Sequence, residues 1–262
     1  MIDLLRTLVN IDSGSYSKPG IDAAAEVVSA FLESQGIACE TIELPEQGNI
    51  VRAVVPGTSG GNANTLLMGH LDTVFPDGEA ERRPFTIADG RAYGPGVADM
   101  KAGIVMNCFV AAALARAGGA PDPLVLLITG DEEIASPASA DYIRREAGQA
   151  RYVFNAEPGR ANGNVVTARR ACIFARIRVE GRAAHSGVNF PDGASAIEEL
   201  SRKVMALHGL TDLERSISVN VGLISGGQSV NTVAPTAVAS LDLRYLDPAD
   251  RDGLVAALRD IV

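Results

Sequence analysis

Residues 125–133 read Val125-Leu126-Leu127-Ile128-Thr129-Gly130-Asp131-Glu132-Glu133, an uninterrupted apolar run that ends in three consecutive acids. An apolar run of this length without polar alternation fits a strand buried on both faces, as in a parallel sheet. The acids would then stand at the carboxyl end of that strand, where open α/β sheets hold their ligands. A solvated acidic loop is the competing explanation, and the flanking sequence has to decide between the two.

Outward from this run, strands and helices alternate. Residues 21–35 place Ile21, Ala24, Val28, Phe31 and Leu32 at helical spacing, with Gly36 as a stop. Strands are expected at ACETIEL, NIVRAVV and TLLMG, separated by the polar turn PGTSGGNAN. A long alanine-rich helix, AGIVMNCFVAAALARAGG, precedes LVLLIT, which is followed by the short helix SADYIRREAG and the strand YVFNAE. This order predicts an α/β domain with a mainly parallel sheet over residues 1–165. From about residue 166 the pattern changes to half-buried alternation in CIFARIRVEG, SISVNVGLISGG and APTAVASLDLRYL, with the helix DGASAIEELSRKVMALHG between the first two. Residues 166–262 therefore read as a smaller α+β module. It ends in a second amphipathic helix, DPADRDGLVAALRDIV, with no strand after it, and so reads as unfinished.

Composition bounds the function. Of the 262 residues, 47% are hydrophobic and 21% charged, and no apolar run approaches the ~20 residues of a membrane span. Asp3 and Arg6 interrupt what would be the apolar part of an export signal, so a cytoplasmic protein without membrane partners is expected. The net charge of -9 and the lack of a Lys/Arg cluster argue against nucleic acid and anionic lipid, and favour a cationic partner. Cys39, Cys108 and Cys172 are odd in number and widely spaced, which argues against a disulfide framework or a thiolate zinc site; all three are expected to be buried free thiols.

Three of the predicted strands end in metal-ligand side chains: His70 and Asp72; Asp131, Glu132 and Glu133; and Glu157. Asp99 adds a fourth position in the loop GPGVADMKAG, at a helix amino end. Taken singly, each has a structural explanation, such as a surface pair, a solvated acid or a helix cap. Taken together, Asp72, Asp99, Glu132, Glu133 and Glu157 would bring five negative charges into one pocket, which either shifts pKa values or recruits cations. Two divalent ions would balance most of that charge. Imidazole and carboxylate without thiolate suit zinc, and less selectively cobalt or manganese.

The segments HLDTVFP, PFTIADGRAYGPGVADMKAG, ITGDEE, NAEPG and GRAAHSG, in this order, resemble the di-zinc metallopeptidase family of glutamate carboxypeptidases, acetylornithine deacetylases, succinyl-diaminopimelate desuccinylases and aminoacylases. The PF followed by AYGPG looks most similar to the bacterial folate-cleaving glutamate carboxypeptidases. The resemblance implies a zinc-peptidase-like catalytic domain and a ferredoxin-like lid or dimerisation domain. It also implies that His70 and Glu157 hold one zinc, that Glu133 helps to hold the other, and that Asp99 bridges them. Asp72 would orient the His70 ring, which is physically reasonable because positions i and i+2 of an extended segment point the same way and a ligating imidazole needs its other nitrogen fixed. Glu132 would be the general base. In the second module, His185 is expected to reach across a homodimer to the oxyanion, while Asn231 in SVNTVAP and Arg244 in LDLR grip the substrate carboxylate. His208 is expected to be structural.

The implied reaction is zinc-dependent hydrolysis of an amide or peptide bond beside a free carboxylate, on small peptides or N-acyl amino acids, of the glutamate carboxypeptidase type. The alternatives are an N-acyl-amino-acid deacylase of the same family, or a truncated and inactive dimerising or binding form. The second alternative arises because the family pattern has one more zinc-binding histidine, in a carboxyl-terminal segment that completes the sheet. No residue here matches it, so a fragment or a shortened form is expected. Two other motifs fit poorly. Gly57-Thr58-Ser59-Gly60-Gly61 matches G-x-S-x-G but sits between Pro56 and a strand rather than between a strand and a helix, and GPGVAD lacks the third glycine of a dinucleotide loop.

Overall fold

The computed structural model describes residues 1–60 and 63–262, so Gly61 of the G-x-S-x-G match and Asn62 of the polar turn lie outside the described residues. The elements run α1 (Ile2–Val9), α2 (Lys18–Ser34), β1 (Ala38–Ile42), β2 (Ile50–Val55), β3 (Asn64–His70), α3 (Glu79–Arg82), β4 (Thr86–Ala88), β5 (Arg91–Tyr93), α4 (Ala102–Arg116), β6 (Leu124–Thr129), α5 (Ala140–Gly148), β7 (Ala150–Asn155), β8 (Ala171–Glu180), α6 (Ala196–His208), β9 (Ser218–Gly226), β10 (Thr236–Tyr245) and α7 (Asp250–Ile261). They fall into two compact units, Met1–Gly163 and Asn164–Val262.

The first unit is built on a sheet of order β1-β2-β6-β3-β7. β3 is parallel to both β6 and β7, while β2 is antiparallel to β1 and to β6. Four of these five strands therefore point the same way and β2 alone is reversed, so the sheet of this α/β fold is mainly parallel. All six residues of β6 are buried, because both faces are covered. Leu124, Leu126 and Ile128 join the core under α2 and α4, and Val125 and Leu127 join the smaller core under α5. Alternate side chains of a strand point to opposite faces, so a strand with a helix layer on each side has no polar position to spend. The opening run is thus a central parallel strand.

α2 starts three residues before the predicted helix, with Pro19 in its first turn, where the missing N–H costs nothing. It buries Ile21, Ala24, Val28 and Leu32, and Phe31 stacks on Phe109 of α4 with ring centroids 4.9 Å apart. The segment Val97–Arg116, which is α4 with the turn before it, corrects the reading that no apolar run approaches a membrane span: it is 20 residues long with a mean hydropathy of 1.5, enough by length and composition. Its residues Ile104, Val105, Cys108 and Ala111 nevertheless sit in the core of the first unit. The Ser59 loop is held as a loop, since the Ser59 hydroxyl donates to the Pro121 carbonyl and the Thr58 N–H to the Ala120 carbonyl.

The second unit has the antiparallel sheet β8-β10-β9 with α6 and α7 on one face. β10 alternates strictly, burying Ala237, Ala239, Leu241, Leu243 and Tyr245 against Leu200, Leu207, Leu254 and Leu258. Ser195 caps α6 by accepting the Glu198 N–H at 3.2 Å. The cysteine expectation holds only in part: Cys108 is buried and Cys39 half-buried, but Cys172 is exposed. It lies on β8 opposite Arg244, on the alternation that leaves Phe174 exposed as well.

Candidate metal centre

Four chain segments deliver the site, three just past or at the end of a strand and one in the turn before a helix. β3 stops at His70, and its backbone N–H lies 3.3 Å from the Met100 sulfur. β6 ends at Thr129, and a tight turn then carries Glu132 and Glu133. β7 ends at Asn155, two residues before Glu157. Asp99 stands in the turn before α4, where its peptide to Met100 is cis. Because β3, β6 and β7 are parallel neighbours, their carboxyl ends share one edge of the sheet, and the ligand-bearing turns meet there.

The meeting point is His70. Its Nε2 lies 3.2 Å from Glu157 Oε1, 3.4 Å from Asp99 Oδ1 and 3.7 Å from Glu132 Oε2. His70, Asp99 and Glu157 present ligand atoms all within 4.8 Å of one another. On the other side of the ring, Nδ1 is 2.9 Å from the Asp72 carbonyl oxygen and 3.2 Å from its Oδ1. Both partners are acceptors, so Nδ1 carries the proton and Nε2 a lone pair in the neutral ring. Nε2 is buried and, among the described residues, has no hydrogen-bond partner; the groups facing it are carboxylates. A lone pair surrounded by anionic oxygens in a buried pocket calls for a cation, and one imidazole with carboxylates suits a divalent metal such as zinc.

Asp72 is the hub behind the ligands. Fully buried, it accepts the Ser15 hydroxyl at 2.8 Å and the backbone N–H groups of Glu132 and Glu133 at 3.1 and 3.0 Å. It therefore fixes both the His70 ring and the turn that presents the two glutamates. Burial opposes charge on Asp72, but the His70 interactions and the Ser15 and Glu133 hydrogen bonds win and hold its pKa below the usual value.

The other groups reflect crowding of like charge. Burial would depress His70, yet the surrounding carboxylates of Asp72, Glu157 and Glu132 push it up to about 11. Burial, followed by the charge of Glu157, raises Asp99. Glu132 is raised by burial and by Glu157, Asp72 and Asp99, with His70 acting against them. Glu133 is raised to about 7, mainly by burial. Such a cluster holds protons that a bound cation would replace.

The structure thus brings His70, Asp72, Asp99, Glu132 and Glu157 together. Glu133 is tied to the same hub through its backbone and lines the cavity next to it. Asp131 turns away: fully buried, it accepts the Ala138 and Ser139 N–H groups at 2.8 and 3.1 Å and the Ser139 hydroxyl, closing the loop before α5. In the second unit His185 and Asn231 are neighbours, since the Ser186 N–H donates to the Asn231 carbonyl at 3.0 Å and His185 bridges to Thr232. Arg244 is elsewhere in that unit. It lies eight residues along β10 from Thr236, about 25 Å at strand rise. There its Nε bonds Asp242 at 2.8 Å, and its guanidinium lies over Phe174. His208, at the end of α6, accepts the Val221 N–H at 3.4 Å.

Two contributors escaped the sequence reading. Ser15 has no motif, since its role depends on a loop 57 residues distant from Asp72. Lys101, two residues after Asp99, is fully buried and donates to the Leu8 and Ile11 carbonyls at 2.9 and 2.8 Å, which pins the Asp99 turn to the end of α1. Burial lowers its pKa to about 8. The lysine in DMKAG was visible, but a charged residue there gives no sign that it points inward.

The model of peptidase family M20/M25/M40 matches residues 66–243. The chain is 30% identical over 268 residues to carboxypeptidase G2 of Pseudomonas sp. (strain RS-16), a match that covers 99% of this chain and 63% of that protein. It is 31% identical over 251 residues to acetylornithine deacetylase of Myxococcus xanthus, covering 87% and 62%. The chain thus spans a little over three fifths of the length of these curated relatives. Among solved structures it is similar to an M20 family metallo-carboxypeptidase from Sulfolobus solfataricus, with TM-score 0.81 and 19% identity, covering 99% of this chain and 74% of that one. A tripeptidase from Staphylococcus aureus gives TM-score 0.77 and 21% identity, with 99% and 69% covered. These last two likenesses establish the fold.

Proposed function

Because the chain belongs to peptidase family M20/M25/M40, we propose that its metal centre serves the hydrolysis of an amide or peptide bond next to a free carboxylate, in the manner of a glutamate carboxypeptidase. The observation that carries this reading is the buried, unpartnered Nε2 of His70, faced by carboxylates at 3.2, 3.4 and 3.7 Å. His70 and Glu157 would hold one divalent ion, Asp99 would bridge to a second, and Glu133 would help to hold that one. Two zinc ions, or cobalt or manganese in their place, would supply Lewis acidity at this site when bound.

The chain's own groups then perform the proton work. Glu132, about half exposed and held by its backbone N–H to Asp72, accepts a proton from the attacking water and passes it to the leaving nitrogen. Water oxygen adds to the acyl carbon, the C–N bond breaks, and an acid and an amine leave. Asp72 keeps the His70 ring in one tautomer throughout. His185 would stabilise the oxyanion, and Asn231 and Arg244 would bind the substrate carboxylate. The separation of Arg244 from His185 and Asn231 along β10 supports a homodimer, in which the two ends of the second unit serve different sites.

A second reading, removal of an acyl group from an N-acyl amino acid, has support from the 31% identity to an acetylornithine deacetylase. The test is turnover of N-acyl-glutamates and of N-acetylornithine by the purified chain with zinc, with and without a chelator. Chelator-sensitive release of glutamate supports the first reading and release of ornithine the second. A chain that binds metal stoichiometrically yet cleaves neither is a binding or dimerising form, and both hydrolase readings then fail.

A further inference from the structure

Asp131, the first of the three acids after β6, stays out of the cluster around His70. Its buried carboxylate reaches instead along the chain, accepting the N–H groups of Ala138 and Ser139, seven and eight residues later, at 2.8 and 3.1 Å, together with the Ser139 hydroxyl. These donors stand at the start of α5, whose Tyr142 and Ile143 pack against the buried Leu66, Val125 and Leu127. The contact therefore ties the end of β6 to a helix that is itself anchored in the core.

Between its two ends the chain has to reverse within a few residues, and it does so in a conformation that its sequence resists. Ala135 and Ser136 have φ of +71° and +54°, and they are the one adjacent pair of non-glycine residues with positive φ among the described residues. Left-handed backbone crowds a Cβ against the following carbonyl oxygen and disfavours each such residue by roughly tenfold in population. Ser136 also precedes Pro137, which favours extended backbone of negative φ at the position before it. The Ala135 and Ser136 N–H groups donate to the Glu132 and Asp131 carbonyls at 2.8 and 2.7 Å, so this strained pair closes the turn that carries Glu132 and Glu133. Two buried carboxylates thus clamp the turn. Asp72 holds the N–H groups of both glutamates, and Asp131 holds the chain beyond them.

We infer that Asp131 is a positioning residue for the metal centre: by gripping Ala138 and Ser139 it keeps Ala135 and Ser136 left-handed, and the turn so closed presents the two glutamates to the site. The roles of those glutamates rest on the hydrolase reading above. Without the latch the pair relaxes toward right-handed backbone and the turn moves with it. A carboxylate that only capped α5 would change the stability of that helix and leave the turn in place.

The experiment compares the purified chain with its Asp131→Ala, Ala135→Gly and doubly substituted variants, by amide hydrogen exchange without metal and by competitive zinc titration. In Asp131→Ala the Glu132 and Glu133 amides, which donate to Asp72 in the parent, are expected to exchange at least about tenfold faster while the amides of β6 keep their protection. Zinc affinity is expected to fall about 10–100-fold, as for other outer groups that orient ligands. Ala135 is exposed, and glycine adopts the left-handed region freely. Ala135→Gly alone should therefore leave zinc affinity within about twofold of the parent, and added to Asp131→Ala it should restore exchange protection and affinity by about fivefold or more. Should Asp131→Ala not fold, Asp131→Asn, which keeps the shape but has one accepting oxygen in place of two, carries the same comparison with smaller changes. Parent-like exchange at Glu132 and Glu133, or a double variant that exchanges as fast as the single one, overturns the inference. Faster exchange that Ala135→Gly reverses, with zinc affinity unaltered throughout, upholds the latch and defeats instead the reading of Glu133 as a ligand.

Discussion

His70 is gripped twice by Asp72, which lies 3.2 Å from Nδ1 through its carboxylate and 2.9 Å through its carbonyl oxygen. The same carboxylate accepts three other hydrogen bonds, a buried one from Ser15 and two partly buried ones from the Glu132 and Glu133 N–H groups. Asp72→Ala should therefore destabilise the metal-free protein by about 3 kcal/mol, because buried donors lose their acceptor. It should also weaken zinc binding by about 10–100-fold through the disoriented ring. Urea unfolding and a competitive zinc titration measure the two effects, and wild-type zinc affinity in this variant would contradict the role given to Asp72.

Gly103, in the first turn of α4, makes a second long-range link to the centre. A Cβ placed there would lie 2.1 Å from the Ala156 carbonyl oxygen, so the helix meets the segment carrying Glu157 at backbone distance. Gly103→Ala has to push that segment away, at a cost of about 1–3 kcal/mol for overpacking. Zinc affinity should drop along with stability, although residue 103 has no ligand atom. Loss of stability with full zinc affinity would show that Glu157 is placed by something other than this contact.

The distribution of what could be read beforehand follows from how each feature is encoded. The run at Leu124–Thr129 is apolar throughout because two helix layers cover β6, and that pattern survives in one dimension. The convergence of the candidate ligands was legible because parallel strands bring their ends to one edge, so acids and a histidine just past three apolar runs have to meet. The inward turn of Asp131 was not legible, since Asp131-Glu132-Glu133 gives three equal acids until Ser139 and the Ala138 N–H fold back on the first. Ser15 and Lys101 were lost for a similar reason: their partners lie in loops and helix ends far along the chain. Cys172 was misread because alternation along a strand does not say which face meets a helix.

The protonation of the centre predicts how zinc and pH combine. Without metal, the Glu133 pKa is raised to about 7 from an ordinary 4.5, and that of His70 to about 11 from 6.5. The fold favours the protonated form of both groups. Their stabilising contributions are present below the ordinary pKa values and are lost as pH rises toward 7 for Glu133 and toward 11 for His70. If zinc is held by His70 and Glu133 it needs both deprotonated, so its own stabilisation should grow across the same interval. The gap in Tm between zinc-saturated and chelator-treated protein should widen steadily from pH 5 to pH 8. A gap independent of pH would mean that zinc is held without these groups.

If Glu132 is the general base, its replacement should separate chemistry from metal retention. Its Oε2 is the farthest of the three carboxylate oxygens from His70 Nε2, at 3.7 Å, and its side chain is about half exposed. Glu132→Ala should keep wild-type zinc stoichiometry and lose turnover by about 10²–10⁴-fold, the usual scale for a general base. Unchanged turnover would remove Glu132 from the mechanism, and loss of zinc would make it a ligand.

The dimer proposal can be tested through the same residue. His185 bridges to Thr232, close in sequence to the start of β10 at Thr236, while Arg244 lies eight residues further along that strand, about 25 Å from Thr236 at strand rise, so one small substrate is not expected to reach all three groups of a single copy. If His185 completes the partner's site, Glu132→Ala and His185→Ala chains are each inactive alone. In a mixed dimer, however, the site of the His185→Ala chain has its own Glu132 and receives His185 from the Glu132→Ala chain. An equal mixture, refolded together, should then recover about a quarter of wild-type activity, since half the dimers are mixed and half of their sites are intact. If His185 acts on the site of its own chain, every site in the mixture lacks one of the two groups and activity stays at the level of the separate variants. That second outcome would confine the oxyanion role to a single copy and remove the functional argument for the dimer.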